Sequence, residues 1–154
     1  MTLVCGLDFG TSNSTIARRD SGGVPQLLRL EDGRQTIPSV IFFGFEDDSI
    51  HFGRQAVAEY VTGADGRLMR SLKSVLGTSL IGDTTRVKAR RYGFLEILGI
   101  FIAELKRRAE AELGGPVDTV VCGRPVHFVD DDPVADAAAQ EQLDGAHAVF
   151  GKVV

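Results

Sequence analysis

The sequence predicts an α/β fold built on a mixed sheet. Three observations carry that expectation: a strand, turn and strand over residues 3–17, one long amphipathic helix over 92–113, and an apolar strand over 117–123 that this helix returns beside the first. Size and composition agree with it. A chain of 154 residues suits one domain, and a domain of that length buries roughly 68 to 70% of its unfolded surface. With 44% hydrophobic and 25% charged residues, it has the composition of a soluble globular protein.

The charge excludes some partners. Seventeen basic against 21 acidic residues leave a net charge of −4, which argues against a broad polyanion-binding face, so nucleic acid is not an expected partner. A basic segment followed by a long apolar one is missing from the N-terminus, and no apolar stretch approaches about 20 residues. The expectation is a cytoplasmic chain without membrane contact. Cys5 and Cys122 are the only cysteines and form no C-x-x-C pair, so neither a zinc site nor a disulfide framework is supported.

The first turn carries the chemistry. An apolar run ends in Asp8, and Gly10, Thr11, Ser12 and Asn13 follow before the next β-prone run. Gly10 admits either a positive φ or a close backbone approach, after which successive N–H groups converge on one anion. Asp8 at the strand end is placed to hold a hydrated Mg²⁺, which prefers oxygen ligands and is usually shared with phosphates. The same composition also makes an ordinary hairpin turn. Taken alone, the turn leaves both readings open.

The remaining elements follow in order. Ser21-Gly22-Gly23 is a turn signal leading into a third strand over 24–30, and Glu31-Asp32-Gly33-Arg34 is the next turn. A β-branched and aromatic strand over 36–43 contains Pro38, which drives Ile37 toward extended backbone. Residues 45–52 read as a turn into a short strand, and 54–61 as a helix. A second short helix is expected over 67–76, with Leu68, Leu72 and Val75 on one face and Gly77 ending it. Lys73 lies on that helix, where a solvated surface position is the plain alternative to any role.

Residues 77–84 imitate a P-loop, but Asp83 stands where the phosphate-neutralising lysine belongs. Arg86, Lys88, Arg90 and Arg91 read as a solvated surface. The long helix buries Phe94, Ile97, Leu98, Phe101, Ile102, Leu105 and Ala109, with i,i+4 pairs Glu104/Arg108, Lys106/Glu110 and Arg108/Glu112 on its wet side. Gly114-Gly115-Pro116 stops it.

In the strand that follows, Val121-Cys122-Gly123-Arg124-Pro125 echoes Val4-Cys5-Gly6-Leu7-Asp8. The echo predicts parallel neighbours with Cys5 beside Cys122 and Asp8 beside Pro125, the two thiols on one face, buried and reduced. Asp130-Asp131-Asp132-Pro133 opens a last helix by capping and dipole rather than as a metal cluster. Ala139, Leu143, Ala146 and Phe150 are its apolar face. His51, His127 and His147 receive no role, and residues 151–154 begin another strand.

Asp8-Phe9-Gly10-Thr11-Ser12-Asn13-Ser14 resembles the first phosphate-binding motif of the superfamily that holds actin, sugar kinases and DnaK-type (heat-shock protein 70) chaperones, and is most similar to the chaperone version. Ile37-Pro38-Ser39 resembles the chaperones' Thr-Pro-Ser segment, with Ile37 as the variation. Arg70-Ser71-Leu72-Lys73-Ser74-Val75-Leu76-Gly77 resembles the segment whose lysine reaches the nucleotide. Pro125 matches a proline near the phosphates, although a strand end is also a common place for proline. The resemblance covers essentially the whole chain and is strongest to YegD-like members.

It implies a ribonuclease-H-like, actin-like ATPase fold. Residues 1–154 would be the N-terminal part of that domain and incomplete, with a small projecting lobe at about residues 36–91. It also implies ATP/ADP and Mg²⁺ as cofactors. Asp8 and Lys73 would be catalytic, with Asp8 holding the metal through water, and Gly10, Thr11, Ser12, Asn13 and Pro125 would meet the phosphates. The later family motifs, among them the adenosine-binding one, are absent. These residues alone are therefore expected to bind ATP weakly, to be inactive, and to self-associate through an unpaired edge. Client proteins and co-chaperones are implied for the complete protein. A non-catalytic interaction module and a fragment of a sugar kinase are the alternatives.

Overall fold

The computed structural model describes residues 3–123, 132–147 and 150–153, the final strand by its backbone. Apolar residues that alternate with polar ones form β1 (Leu3–Phe9) and β2 (Asn13–Arg19), paired antiparallel with Leu7 opposite Ile16 and Asp8 opposite Thr15. Cys5, Leu7 and Phe9 face the core, and Asp8 faces out. This is the period of two that a half-buried strand requires. β3 (Pro25–Leu27) extends the sheet beyond β2.

The strand expected over 36–43 is split. β4 (Ile37–Pro38) pairs with β2, whereas β5 (Val40–Gly44) is the centre of a second sheet, flanked by β6 (Ile50–Phe52) and β7 (Gly66–Arg70). Ser39 stands at the break. Helix α1 (Gly53–Val61) packs on this second sheet.

The helix expected over 67–76 is not formed. Gly66 to Arg70 pairs antiparallel along β5, from Gly44 opposite Gly66 to Val40 opposite Arg70. Ser71 then breaks the chain with a left-handed backbone, and Leu72–Val75 closes one short 3₁₀ turn. The spacing of Leu68, Leu72 and Val75 thus comes from a strand followed by a turn. An open sheet edge satisfies the backbone of 66–70 better than a short isolated helix could.

β8 (Thr84–Val87) and β9 (Arg90–Gly93) make a hairpin that leaves Arg86, Lys88, Arg90 and Arg91 exposed. The long helix α2 (Phe94–Leu113) follows and buries the expected stripe from Ile97 to Ala109. Glu104/Arg108 and Lys106/Glu110 pair as expected. Arg108 turns away from Glu112, toward the Leu30 carbonyl and Glu31. Phe101 meets Phe9 of β1 at 5.9 Å and Phe52 of β6 at 6.4 Å, so α2 packs against both sheets.

β10 (Val117–Cys122) returns parallel to β1, and β11 (Lys152–Val153) continues the parallel side. The first sheet therefore runs β11-β10-β1-β2-β3 with β4 also on β2, a mixed sheet with a helical crossover. Cys5 and Cys122 lie on adjacent strands and both are free thiols. The expected register is off by two residues: Val120 faces Cys5, and Cys122 faces Leu7. The register shifts by one residue between Leu3 and Val4, and the echoed pentapeptides are not aligned across the sheet on either side of it. Pro125, Arg124, His127 and the first two aspartates lie outside the described residues.

Asp132 caps α3 (Pro133–His147), accepting from the N–H groups of Val134 and Ala135. Ala139, Leu143 and Phe150 are buried. Among the described residues no helix is long and apolar enough to cross a membrane, and no group of three metal-ligating side chains is gathered.

Candidate functional site

The exposed turn between β1 and β2 is the centre of the site. Asp8, Thr11, Ser12 and Asn13 are all exposed, while Phe9 and Ser14 on either side are buried. The turn closes on a bond from the Gly10 N–H to the Asn13 carbonyl at 3.0 Å. A Cβ on Gly10 would stand 2.2 Å from that carbonyl oxygen. Of the two properties glycine offers here, close approach is the one used, since Gly10 has no positive φ.

Beneath the turn lies a polar support. Ser39 Oγ donates to the Gly10 carbonyl at 2.8 Å, the Ser39 N–H donates to the Ser12 carbonyl at 2.9 Å, and Ser14 Oγ lies 2.9 Å from Ser39 Oγ. Both serines are fully buried. The two bonds from Ser39 to the turn account for the parting of β4 and β5 at that residue.

Lys73 arrives from the 3₁₀ turn. Its ammonium donates to the Phe9 carbonyl at 2.8 Å. Burial pulls its pKa below the ordinary lysine range, and the Asp8 carboxylate opposes that shift. The segment is anchored behind by Gly77, whose N–H donates to Gln142 Oε1 at 2.9 Å. Gly77 has φ +74° and lies so near α3 that a Cβ would sit 2.5 Å from the Ala135 carbonyl. No other residue type fits that position without movement.

Asp8, Gly10, Thr11, Ser12, Asn13 and Lys73 are thus brought together from strand, turn and a segment more than 60 residues away. Pro125 lies outside the described residues. The donor set suits an anion with a hard cation: the backbone and side-chain donors of the exposed residues Thr11, Ser12 and Asn13, one ammonium and one exposed carboxylate.

Sequence reasoning missed His147. The ring is buried at 1% exposure, Nδ1 shares a 2.9 Å hydrogen bond with Cys122 Sγ, and Phe9 meets the ring edge-on at 6.3 Å. Its Nε2 has no partner among the described residues. Burial, reinforced by the Lys73 charge and opposed by Asp144, pulls its pKa down to about 4. Burial, reinforced by Asp144, pushes the Cys122 thiol up to about 11. Both groups are neutral near pH 7, so they form a packed hydrogen bond and not a thiolate-imidazolium pair. One signal was available: His147 follows Ala139 and Leu143 at four-residue spacing, on the buried row of α3.

Comparison with known proteins bears out the family resemblance. The model of the Hsp70 protein family matches residues 4–145. Chaperone protein DnaK of Mycoplasmopsis agalactiae is 32% identical over 126 residues, covering 82% of this chain and 20% of that protein. The chain spans about a fifth of the length of this relative.

Proposed function

The chain belongs to the Hsp70 family, and from that premise we propose that residues 1–154 are the N-terminal part of an Hsp70-type ATPase domain that binds the phosphates of Mg-ATP. Residues at about 36–91, which hold the second sheet and α1, are its small lobe. One observation carries the reading: the exposed turn closed at Gly10 and the Lys73 ammonium lie together at the end of β1, beside the exposed Asp8.

On this reading Thr11, Ser12 and Asn13 hold the phosphates through backbone and side-chain donors, and Gly10 lets the turn that presents them close on the Asn13 carbonyl. Mg²⁺ would neutralise phosphate charge, held by Asp8 through water. Lys73 is anchored on the Phe9 carbonyl, where its charge stabilises negative charge that develops during phosphoryl transfer. In the complete protein, ATP hydrolysis drives a conformational change that serves client proteins in the cytoplasm. The family match favours this over a sugar kinase.

The test is calorimetry with Mg-ATP on the isolated chain and on the whole protein that carries it. The whole protein is expected to bind and hydrolyse ATP, and the isolated chain to bind more weakly than low micromolar, since phosphate contacts alone must offset the cost of ordering the ligand. A whole protein without Mg-ATP binding overturns the reading. Turnover by the isolated chain overturns the assignment of an incomplete cleft.

A further inference from the structure

The two buried serines under the turn form a directed chain. A hydroxyl has one proton to give. That of Ser39 goes to the Gly10 carbonyl, so in the 2.9 Å contact between the two oxygens Ser14 is the donor. The order is Ser14 to Ser39 to Gly10. Neither oxygen has access to water, because both residues are 0% exposed, so no solvent molecule can replace a missing partner without opening the core.

The direction has a consequence for the turn. A trans peptide points its C=O and the following N–H to opposite sides, and the described residues include no cis peptide bond. Drawing the Gly10 carbonyl inward onto Ser39 therefore turns the Thr11 N–H outward, on the side where Thr11 and Ser12 are exposed. The Ser39 N–H fixes the far side of the turn through the Ser12 carbonyl. Without this hold, the Gly10 carbonyl would be free to rotate its negative end toward an incoming anion. The hydroxyl chain removes that alternative before the ligand arrives, which lowers the cost of ordering the site on binding.

We propose that Ser39, oriented by Ser14, is a positioning residue for phosphate: it holds the Gly10 carbonyl away from the anion and aims the Thr11 N–H at it. This rests on the reading of the turn as a phosphate site.

The test compares Ser39→Ala, Ser39→Thr and Ser14→Ala in the whole protein, with Mg-ATP and with adenosine as separate probes. Ser39→Ala is expected to weaken Mg-ATP about tenfold and to leave adenosine, which has no phosphate, unchanged. The amide exchange rate and ¹⁵N shift of Thr11 should change in the ligand-free protein. Ser39→Thr retains the hydroxyl and should recover most of the affinity, and Ser14→Ala should give a smaller loss in the same direction. Equal weakening of both probes, or an unchanged affinity for Mg-ATP, overturns the inference. If Ser39→Ala does not fold, the same two ratios in Ser14→Ala decide it. A wild-type protein that binds adenosine but gains nothing from the phosphates overturns the phosphate reading and this inference together.

Discussion

Lys73 Nζ donates to the carbonyl of Phe9 at 2.8 Å, which joins the 3₁₀ turn of 72–75 to the last residue of β1. An ammonium anchored on the backbone is held in place before any ligand binds, and preorganised charge is where an enzyme gains most. Lys73→Met in the whole protein is expected to lower the rate of ATP hydrolysis about a hundredfold, with a much smaller change in KM for Mg-ATP. Steady-state kinetics check it. A loss confined to KM would assign Lys73 to ground-state binding.

Gly10 tests the turn from the opposite side. Its replacement by alanine would put a methyl group 2.2 Å from the Asn13 carbonyl oxygen, which is backbone and cannot swing away. Gly10→Ala is expected to cost at least about 2 kcal/mol of stability in urea unfolding and to remove measurable Mg-ATP binding by the whole protein. Alanine at the exposed Thr11 meets no such obstruction and should cost less than about 0.5 kcal/mol while still weakening the nucleotide.

How far the sequence alone reached follows from where each signal resides. The strand, turn and strand around Gly10, the stripe of α2 and the parallel return of β10 were legible because each is written in local periodicity or local turn chemistry. Residues 66–70 were not: their partner is β5, some 25 residues earlier in the chain, and spacing within 67–76 does not encode an edge waiting elsewhere. The Cys5/Cys122 register failed for a related reason. Sequence likeness aligns letters, whereas register follows from which side chains pack on each face of the sheet. At the site, Asp8 and the turn were visible by composition, but Ser39 was read only as part of a strand and of a resemblance, and its hold on Gly10 appears only in the folded chain.

Glu31 ties the loop after β3 to both α1 and α2. Its carboxylate is 5% exposed and accepts from the Arg54 N–H at 2.8 Å and from Arg54 Nη1 at 2.7 Å, while Arg108 Nη1 stands 3.8 Å away. Removing the charge leaves two guanidiniums facing a neutral group, although Arg54, at 33% exposure, is partly screened by solvent. Glu31→Gln is expected to cost about 2 kcal/mol. Urea unfolding at pH 7 measures it, and a loss below about 0.5 kcal/mol would show that solvent already screens the cluster.

His147 makes stability depend on pH. In the unfolded chain the imidazole titrates near 6.5, and in the fold burial draws it down to about 4. Between those values the unfolded state binds more protons than the folded one, so stability rises with pH across that window. The contribution is fully present above pH 6.5 and is lost as pH falls toward 4, amounting to about 3 kcal/mol. The groups around the ring set this behaviour: Phe9 and Cys122 supply no charge, Lys73 opposes protonation and Asp144 favours it. Carboxylates titrate in the lower part of the same range, so the comparison must be differential. His147→Met removes the titration and nearly keeps the volume; its unfolding free energy should fall less between pH 7 and pH 4 than that of the wild type, by about 3 kcal/mol. Parallel pH profiles for the two proteins would mean that the ring reaches water or a partner when protonated, and the buried neutral imidazole would have to be given up.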